Sequence, residues 1–227
     1  MGQQLTSELK STFNPKRFFN SKKLRTVLLV GLDNSGKSTL LSNLSPSLLS
    51  VARSMSEHGV TQASTSPTSG LSLVEFVHDR AKWRVWDMSG QGRFRPLWAY
   101  YVGHVQAIIF VVDITDTERI ACSRDELSGI LESQKVKEKR LPVLVFANKS
   151  DLGDKETEAE DGEGYGYGYG GKKSKALSVD NVQVGFGIDS LSEKHKVKVF
   201  ASSGLTGTGV AEGFNWLNDV LGQGDFV

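Results

Sequence analysis

The sequence has a single cysteine, no long apolar run and almost no net charge. With Cys122 alone, no disulfide can close within the chain, which fits a reducing compartment such as the cytosol. The longest clean apolar run, Ala107 to Val112, stops at Asp113. A membrane-spanning helix needs roughly 20 apolar residues, so no span is expected. No apolar stretch near the start resembles a secretory signal. The 27 basic and 26 acidic residues leave a formal charge of +1, which argues against a nucleic-acid binder that relies on many phosphate contacts. What is present is ordinary for a globular chain: 227 residues, 38% hydrophobic and 23% charged. That length fits one domain with additions, or two small ones at most.

The charge is small in total but unevenly placed. Residues 1–25 hold six basic side chains against Glu8. Residues 151–163 hold seven acidic side chains against Lys155. Directly after comes Tyr165-Gly-Tyr-Gly-Tyr-Gly-Gly171, then Lys172, Lys173 and Lys175. This segment has almost no aliphatic residues to offset its ordering entropy and reads as a mobile loop. A second stretch, Ser45 to Ser69, is rich in Ser and Thr and reads mostly as loop.

The remainder alternates strand and helix. Thr26–Val30, Ala107–Val112, Val143–Ala147 and Val197–Ala201 read as strands, three of them near-continuous apolar runs suited to a parallel sheet covered on both faces. Leu71–His78 and Lys82–Asp87 flank Asp79-Arg80, which predicts a hairpin. Helices are expected over Lys37–Leu44, Thr117–Glu132, Leu177–Leu191 and Val210–Leu221. In the last, Val210, Phe214, Leu217 and Leu221 recur at helical spacing and predict a core-facing stripe. The pattern implies an α/β fold with a mostly parallel six-stranded sheet and helices on both faces.

After the first strand comes Gly31-Leu-Asp-Asn-Ser-Gly36-Lys37-Ser38, a full Walker A pattern in the strand–loop–helix context that its mechanism requires. Gly31 and Gly36 let the backbone curl so that successive N–H groups point at phosphate oxygens. Asp33, Asn34, Ser35 and Thr39 complete the stretch, and the helix that follows adds its positive end. Lys37 can reach the β- and γ-phosphates, and the Ser38 hydroxyl is placed to ligate Mg²⁺. A P-loop alone does not separate a kinase, an ATPase and a GTPase. Asp87-Met-Ser-Gly90-Gln91 adds a carboxylate for Mg²⁺ through water, a Gly90 N–H that can sense the γ-phosphate, and a Gln91 that can orient attacking water. Thr68, in Pro67-Thr-Ser-Gly70, is a second hydroxyl for the metal when a γ-phosphate is present. Asn148-Lys149-Ser150-Asp151 ends a strand. The Asp151 carboxylate can accept from both the N1–H and the 2-amino group of guanine, which adenine lacks, so an ATP there leaves the charge unpaired. Asn148 would tie this loop to the P-loop, the Lys149 stem would cover one face of the base, and Ala201-Ser202 could offer a backbone N–H to the base carbonyl. The cofactors expected are therefore GTP or GDP with Mg²⁺.

With these residues in place, the chain resembles a small GTPase with a Ras-like G domain, of the Arf and Arf-like family. The carrying residues are the P-loop, Trp86-Asp-Met-Ser-Gly-Gln91, Arg95-Pro-Leu-Trp-Ala-Tyr-Tyr101, Asn148–Asp151 and Met1-Gly2. Asp87-Met-Ser-Gly-Gln-Gly92, Gln106–Phe110 and Glu212–Leu217 most resemble the ciliary subgroup that recruits the BBSome coat. The resemblance implies a monomeric switch served by an exchange factor and a GTPase-activating protein, and a coat or tether effector. It implies effector contact through Leu71, Trp86 and Tyr101, where Leu71 replaces the family's aromatic. Core packing is the competing reading for Trp86 and Tyr101. The domain would span residues 21–227, behind an N-terminal segment 1–20, with insertions at about 45–66 and 153–175.

Met1-Gly2-Gln-Gln-Leu5-Thr6 fits N-myristoylation at Gly2. Leu5, Leu9 and Phe13 add a short apolar stripe, and the basic residues around it favour an anionic leaflet. The expectation is a cytoplasmic, peripheral membrane protein, at a cilium or flagellum base if the subgroup holds. Three other readings stay open: a GTP-loaded recruiter with negligible hydrolysis, an Arf-type vesicle-trafficking GTPase outside the cilium, and a P-loop kinase. No arginine is clearly placed as an internal finger, Cys122 shows no activating neighbour, and the four histidines are scattered.

Overall fold

A computed structural model describes residues 23–44, 70–133, 139–152, 177–193 and 195–223. Six strands form one sheet: β1 (Leu24–Val30), β2 (Leu71–His78), β3 (Ala81–Met88), β4 (Ala107–Asp113), β5 (Val143–Asn148) and β6 (Val197–Ser202). Their order is β2-β3-β1-β4-β5-β6, and only the β2–β3 pair is antiparallel. The α/β class and the mostly parallel six-stranded sheet are therefore as the sequence pattern predicts. β4 and β5 are buried at every position, which is why they read as unbroken apolar runs rather than alternating ones.

Alternation along the buried strands sorts side chains into two cores. Leu28, Val30, Ile108, Phe110 and Val112 face one side, with α3 (Ile120–Glu132), α4 (Val179–Gly185) and α5 (Ile188–Ser192). Val27, Leu29, Ile109, Val111 and Phe146 face the other, with α1 (Lys37–Leu44) and α6 (Val210–Gly222). The helical stripe of α6 lies where its spacing placed it. Phe214 is fully buried, with ring centroids 4.9 Å from Trp83, 5.8 Å from Phe76 and 6.2 Å from Phe146.

The β2–β3 turn is a two-residue connection in which Asp79 and Arg80 both take positive φ, the conformation that matches the right-handed twist of a hairpin. Two expected elements differ. The stretch over 117–132 opens as a 3-10 turn (Thr117–Arg119) before α3. The helix over 177–191 is two, because Gly187 adopts left-handed φ and ψ of 59° and 41° and ends the first. The break lets Phe186 turn inward onto Phe110. Ser178 caps α4 by accepting the Asn181 N–H at 3.1 Å. Between β3 and β4 the chain makes a 3-10 turn (Gly92–Leu97), the short helix α2 (Trp98–Tyr101) and a second 3-10 turn (Val102–His104). Buried Trp98 anchors this stretch, donating its indole N–H to the Ser89 carbonyl at 3.2 Å. The segments 1–22, 45–69 and 153–176, with Thr68, Gly2, the N-terminal stripe and both insertions, lie outside the described residues.

Two helix glycines should respond oppositely to alanine. At Gly213 a methyl would meet the Phe146 ring at 2.5 Å, so Gly213→Ala should destabilise by about 1–3 kcal/mol through overpacking. At Gly129 in α3 nothing lies within 4 Å, so Gly129→Ala should stabilise by about 0.5–1 kcal/mol through helix propensity. Urea unfolding of the two variants beside the parent measures both.

Candidate functional site

Parallel strands direct the loops that leave their C-terminal ends to one edge of the sheet. The loops after β1, β3, β5 and β6 meet there. Gly31 has φ 144°, and a Cβ at that position would lie 2.2 Å from the Val111 carbonyl oxygen. Gly36 has φ 90°, and a Cβ there would lie 2.3 Å from Asn148 Nδ2. Both glycines are therefore required by conformation and by space. Asn34 between them also takes positive φ, 63°.

Lys37 opens α1 and is buried. Its Nζ donates to the carbonyls of Gly31 at 2.9 Å and Leu32 at 2.7 Å and to Ser35 Oγ at 3.4 Å. Burial pulls its pKa down to about 8, against the opposing pull of Asp87 and Asp33. The ammonium is held in the mouth of the loop by oxygen atoms alone, where an anion's oxygens can join or replace them. Ser38 Oγ donates to Asp87 Oδ2 at 3.0 Å. This hydroxyl and carboxylate form an all-oxygen donor set, the chemistry that a hard cation such as Mg²⁺ prefers. Thr39 is half-buried on the same turn of α1.

The segment after β3 lies directly against the P-loop. A Cβ on Gly90 would lie 2.2 Å from the Asp33 nitrogen and 2.5 Å from the Gly31 carbonyl oxygen. Gln91 follows, half-buried, with its N–H on Ser89 Oγ at 3.4 Å and its carbonyl accepting the Phe94 N–H at 2.9 Å. Gly90 therefore lies against the P-loop, and Gln91 is the next residue along the chain.

Asn148 is almost fully buried at the end of β5. Its Nδ2 donates to the Ser35 carbonyl at 2.7 Å. Its Oδ1 accepts the Gly204 N–H at 2.9 Å and the Ser202 hydroxyl at 3.3 Å. The expected tie to the P-loop is present and extends to the loop after β6. Ala201 and Ser202 are the last residues of β6, paired with Ala147 and Asn148. The backbone N–H on Asn148 comes from Gly204, two residues beyond Ser202, with no room for a larger residue against Leu40 without adjustment. Its signal in the sequence is the glycine that follows Ser202-Ser203. Lys149, at φ 69°, pairs its Nζ with Asp113 Oδ2 at 2.5 Å, which fixes the direction of its stem. Asp151 is half-buried on the 3-10 turn Ser150–Leu152.

Two arginines that sequence reasoning did not place flank the P-loop. Arg119 donates to Asp33 Oδ1 at 3.1 Å and Oδ2 at 3.2 Å and is itself held by Asp116. Arg95 donates to Asp33 Oδ1 at 3.3 Å, to Glu126 Oε1 at 3.0 Å and to the Gly90 carbonyl at 2.8 Å. Partial burial raises the Asp33 pKa, but the Arg119 and Arg95 charges outweigh it and hold the carboxyl below the usual range. Cys122, read as lacking an activating neighbour, accepts from Arg95 Nη1 at 3.5 Å. Away from this edge, Trp86 and Tyr101 meet edge to face at 5.1 Å, half-buried on the core. The packing reading of the pair is therefore present in part. Leu71 is exposed and lies across from Met88, while Leu73 is the residue opposite Trp86.

A model of the ADP-ribosylation factor family matches residues 11–166. ADP-ribosylation factor-like protein 6 of Danio rerio is 35% identical over 200 residues, which are 88% of this chain and 90% of that protein. ADP-ribosylation factor 1 of Brassica rapa subsp. pekinensis is 32% identical over 211 residues, 91% of this chain and 92% of that protein. Among solved structures, the Arl6 BBS3 small GTPase of Trypanosoma brucei, bound to the nucleotide analogue GppNp, matches with a TM-score of 0.68 and 28% identity. That match covers 88% of this chain and 99% of the trypanosome chain. Such likenesses, on a P-loop fold whose loops after β1, β5 and β6 share one clamp, leave no place for the kinase reading. The chain belongs to the Arf family of small GTPases, which bind guanine nucleotide and hydrolyse GTP.

Proposed function

We propose that this chain is an Arf-like GTP/GDP switch of ciliary or flagellar trafficking, which in its GTP state binds a membrane and recruits an effector such as the BBSome coat. The observation that carries the switch is the apposition of Gly90 to the backbone of the P-loop whose carbonyls hold Lys37, with Gln91 the next residue in the chain. A γ-phosphate there would decide whether this segment is held. The ciliary reading is supported by the 35% identity to the zebrafish Arf-like protein 6 and by the trypanosome Arl6 BBS3 structure. Exchange factors and GTPase-activating proteins serve the family, and this chain would use both.

Each residue then has a task. Backbone N–H groups over Gly31–Gly36 and the Lys37 ammonium hold the phosphates. Ser38, with Thr68, would ligate Mg²⁺, and Asp87 would hold it through water; when bound, that ion neutralises charge on the β- and γ-phosphate oxygens. Gln91 orients the attacking water. Asp151 accepts from guanine, Lys149 covers one face of the base, and the end of β6 (Ala201, Ser202) with Gly204 closes the base pocket. Leu71, Trp86 and Tyr101 present the effector surface, which Leu73 extends. A myristoylated Gly2 and the apolar, basic N-terminus would supply the two signals that reversible membrane binding needs. Among the described residues no helix is long and apolar enough to cross a membrane.

Gln91→Leu should slow single-turnover GTP hydrolysis by about tenfold or more while leaving GTP affinity close to the parent's. A parental rate would refute the role given to Gln91. Asp151→Asn should weaken GTP binding about 10- to 100-fold through loss of a charge-assisted contact, and relax selectivity over other purine nucleotides in a competition titration. For the cellular role, Gln91→Leu and Ser38→Asn proteins serve as GTP-locked and GDP-locked baits in native lysate. BBSome subunits retained only by the former support the ciliary reading, and their absence beside other GTP-dependent partners overturns it.

A further inference from the structure

We infer that Arg95 is a positioning residue for GTP hydrolysis, because it fixes the peptide plane that carries Gln91. The inference rests on the reading that Gln91 orients the attacking water. Three contacts define the backbone around Gln91. Two are local: its N–H on Ser89 Oγ at 3.4 Å, and its carbonyl with the Phe94 N–H at 2.9 Å. The third holds the other end of the Gly90–Gln91 peptide, where the Gly90 carbonyl accepts Arg95 Nε at 2.8 Å. Toward the P-loop Gly90 has no room for a side chain, since a Cβ would lie 2.2 Å from the Asp33 nitrogen. The residue thus lies close against the P-loop while the arginine holds its carbonyl.

Arg95 can serve this purpose because it is itself immobilised. A guanidinium presents five donors in a rigid fork. Nη1 is on Glu126 Oε1 of α3 at 3.0 Å, and Nη2 is on Asp33 Oδ1 of the P-loop at 3.3 Å. Its side chain is only 16% exposed, so water competes weakly for these contacts. Every nitrogen of the fork therefore points at a different structural element, and α3 and the P-loop together set the position of Gly90 through it. All three nitrogens are hydrogen-bonded to protein atoms, which separates this role from that of an arginine finger. The P-loop does not depend on Arg95 in the same way, since Arg119 independently holds Asp33 through both carboxylate oxygens. Loss of Arg95 should accordingly affect hydrolysis more than nucleotide binding. A lysine cannot replace it, because one ammonium cannot address Gly90, Glu126 and Asp33 in this geometry.

The test compares single-turnover GTP hydrolysis and GDP affinity in the full chain for the parent, Arg95→Ala, Arg95→Lys and Gln91→Leu. Both Arg95 variants should hydrolyse GTP on the order of tenfold more slowly with GDP affinity within about twofold of the parent, as expected when a reacting group is misplaced by a fraction of an ångström. Added guanidinium ion should recover part of the rate in Arg95→Ala and none in Gln91→Leu. The lysine variant keeps the stem and the charge, so it reports even where the alanine variant folds poorly. Parental hydrolysis in Arg95→Lys beside a slow Gln91→Leu overturns the inference alone. Parallel loss of GDP affinity and hydrolysis in Arg95→Lys also overturns it, since that is general loosening of the site. A Gln91→Leu protein with the parental rate overturns the Gln91 reading and this inference with it.

Discussion

One buried amide organises the working edge of this protein. Asn148 donates to the Ser35 carbonyl and accepts from Gly204 N–H and Ser202 Oγ, so a single side chain ties the loops that leave β1, β5 and β6. Each of those groups, deprived of its partner in a site this buried, would carry a desolvation cost of about 1–3 kcal/mol. The clamp also explains Gly36, whose Cα passes so close to Nδ2 that a methyl has no space. Through it, the loop that would hold phosphates and the loop that would hold a base become one rigid unit. The parallel sheet makes this possible, because it delivers all three loops to the same end of their strands.

Electrostatics then divides the P-loop into an inner and an outer face. Inside, Lys37 is buried among carbonyl and hydroxyl oxygens, poised for an anion and depressed in pKa by its burial. Outside, the Asp33 carboxylate is held by Arg119 and Arg95. These outer pairs are partly exposed, and as isolated ion pairs they would add little stability. Their value is geometric. Arg95 reaches from the P-loop to Gly90 and to α3, so the segment that carries Gln91 is referenced to the rigid core rather than to solvent.

Much of this was legible in the chain itself, for two physical reasons. Strand burial leaves a local signature, and β1, β4 and β5 fall within two residues of the stretches that their apolar runs mark. The phosphate and base motifs are also local: the P-loop, Asp87–Gln91 and Asn148–Asp151 are each contiguous, because a curled backbone that cradles a ligand must be built from neighbouring residues. The hairpin was equally readable, since a two-residue turn announces itself by what flanks it. The helix over 177–191 was not, because its break serves Phe186, whose partner Phe110 is 76 residues away in sequence.

The sequence by itself thus determined the fold class, the positions of the strands and the contiguous motifs expected to face a nucleotide, all of which depend on short-range periodicity and contiguous chemistry. Only the tertiary structure decided that Arg95 and Arg119 converge on Asp33, that Asp113 receives Lys149, and that Gly204 supplies an N–H to Asn148. The Arg119–Asp33 pair spans 86 residues and the Asn148–Ser35 bond 113. Such partners have no fixed spacing to recognise, because what brings them together is the packing of parallel strands and not the path of the chain between them.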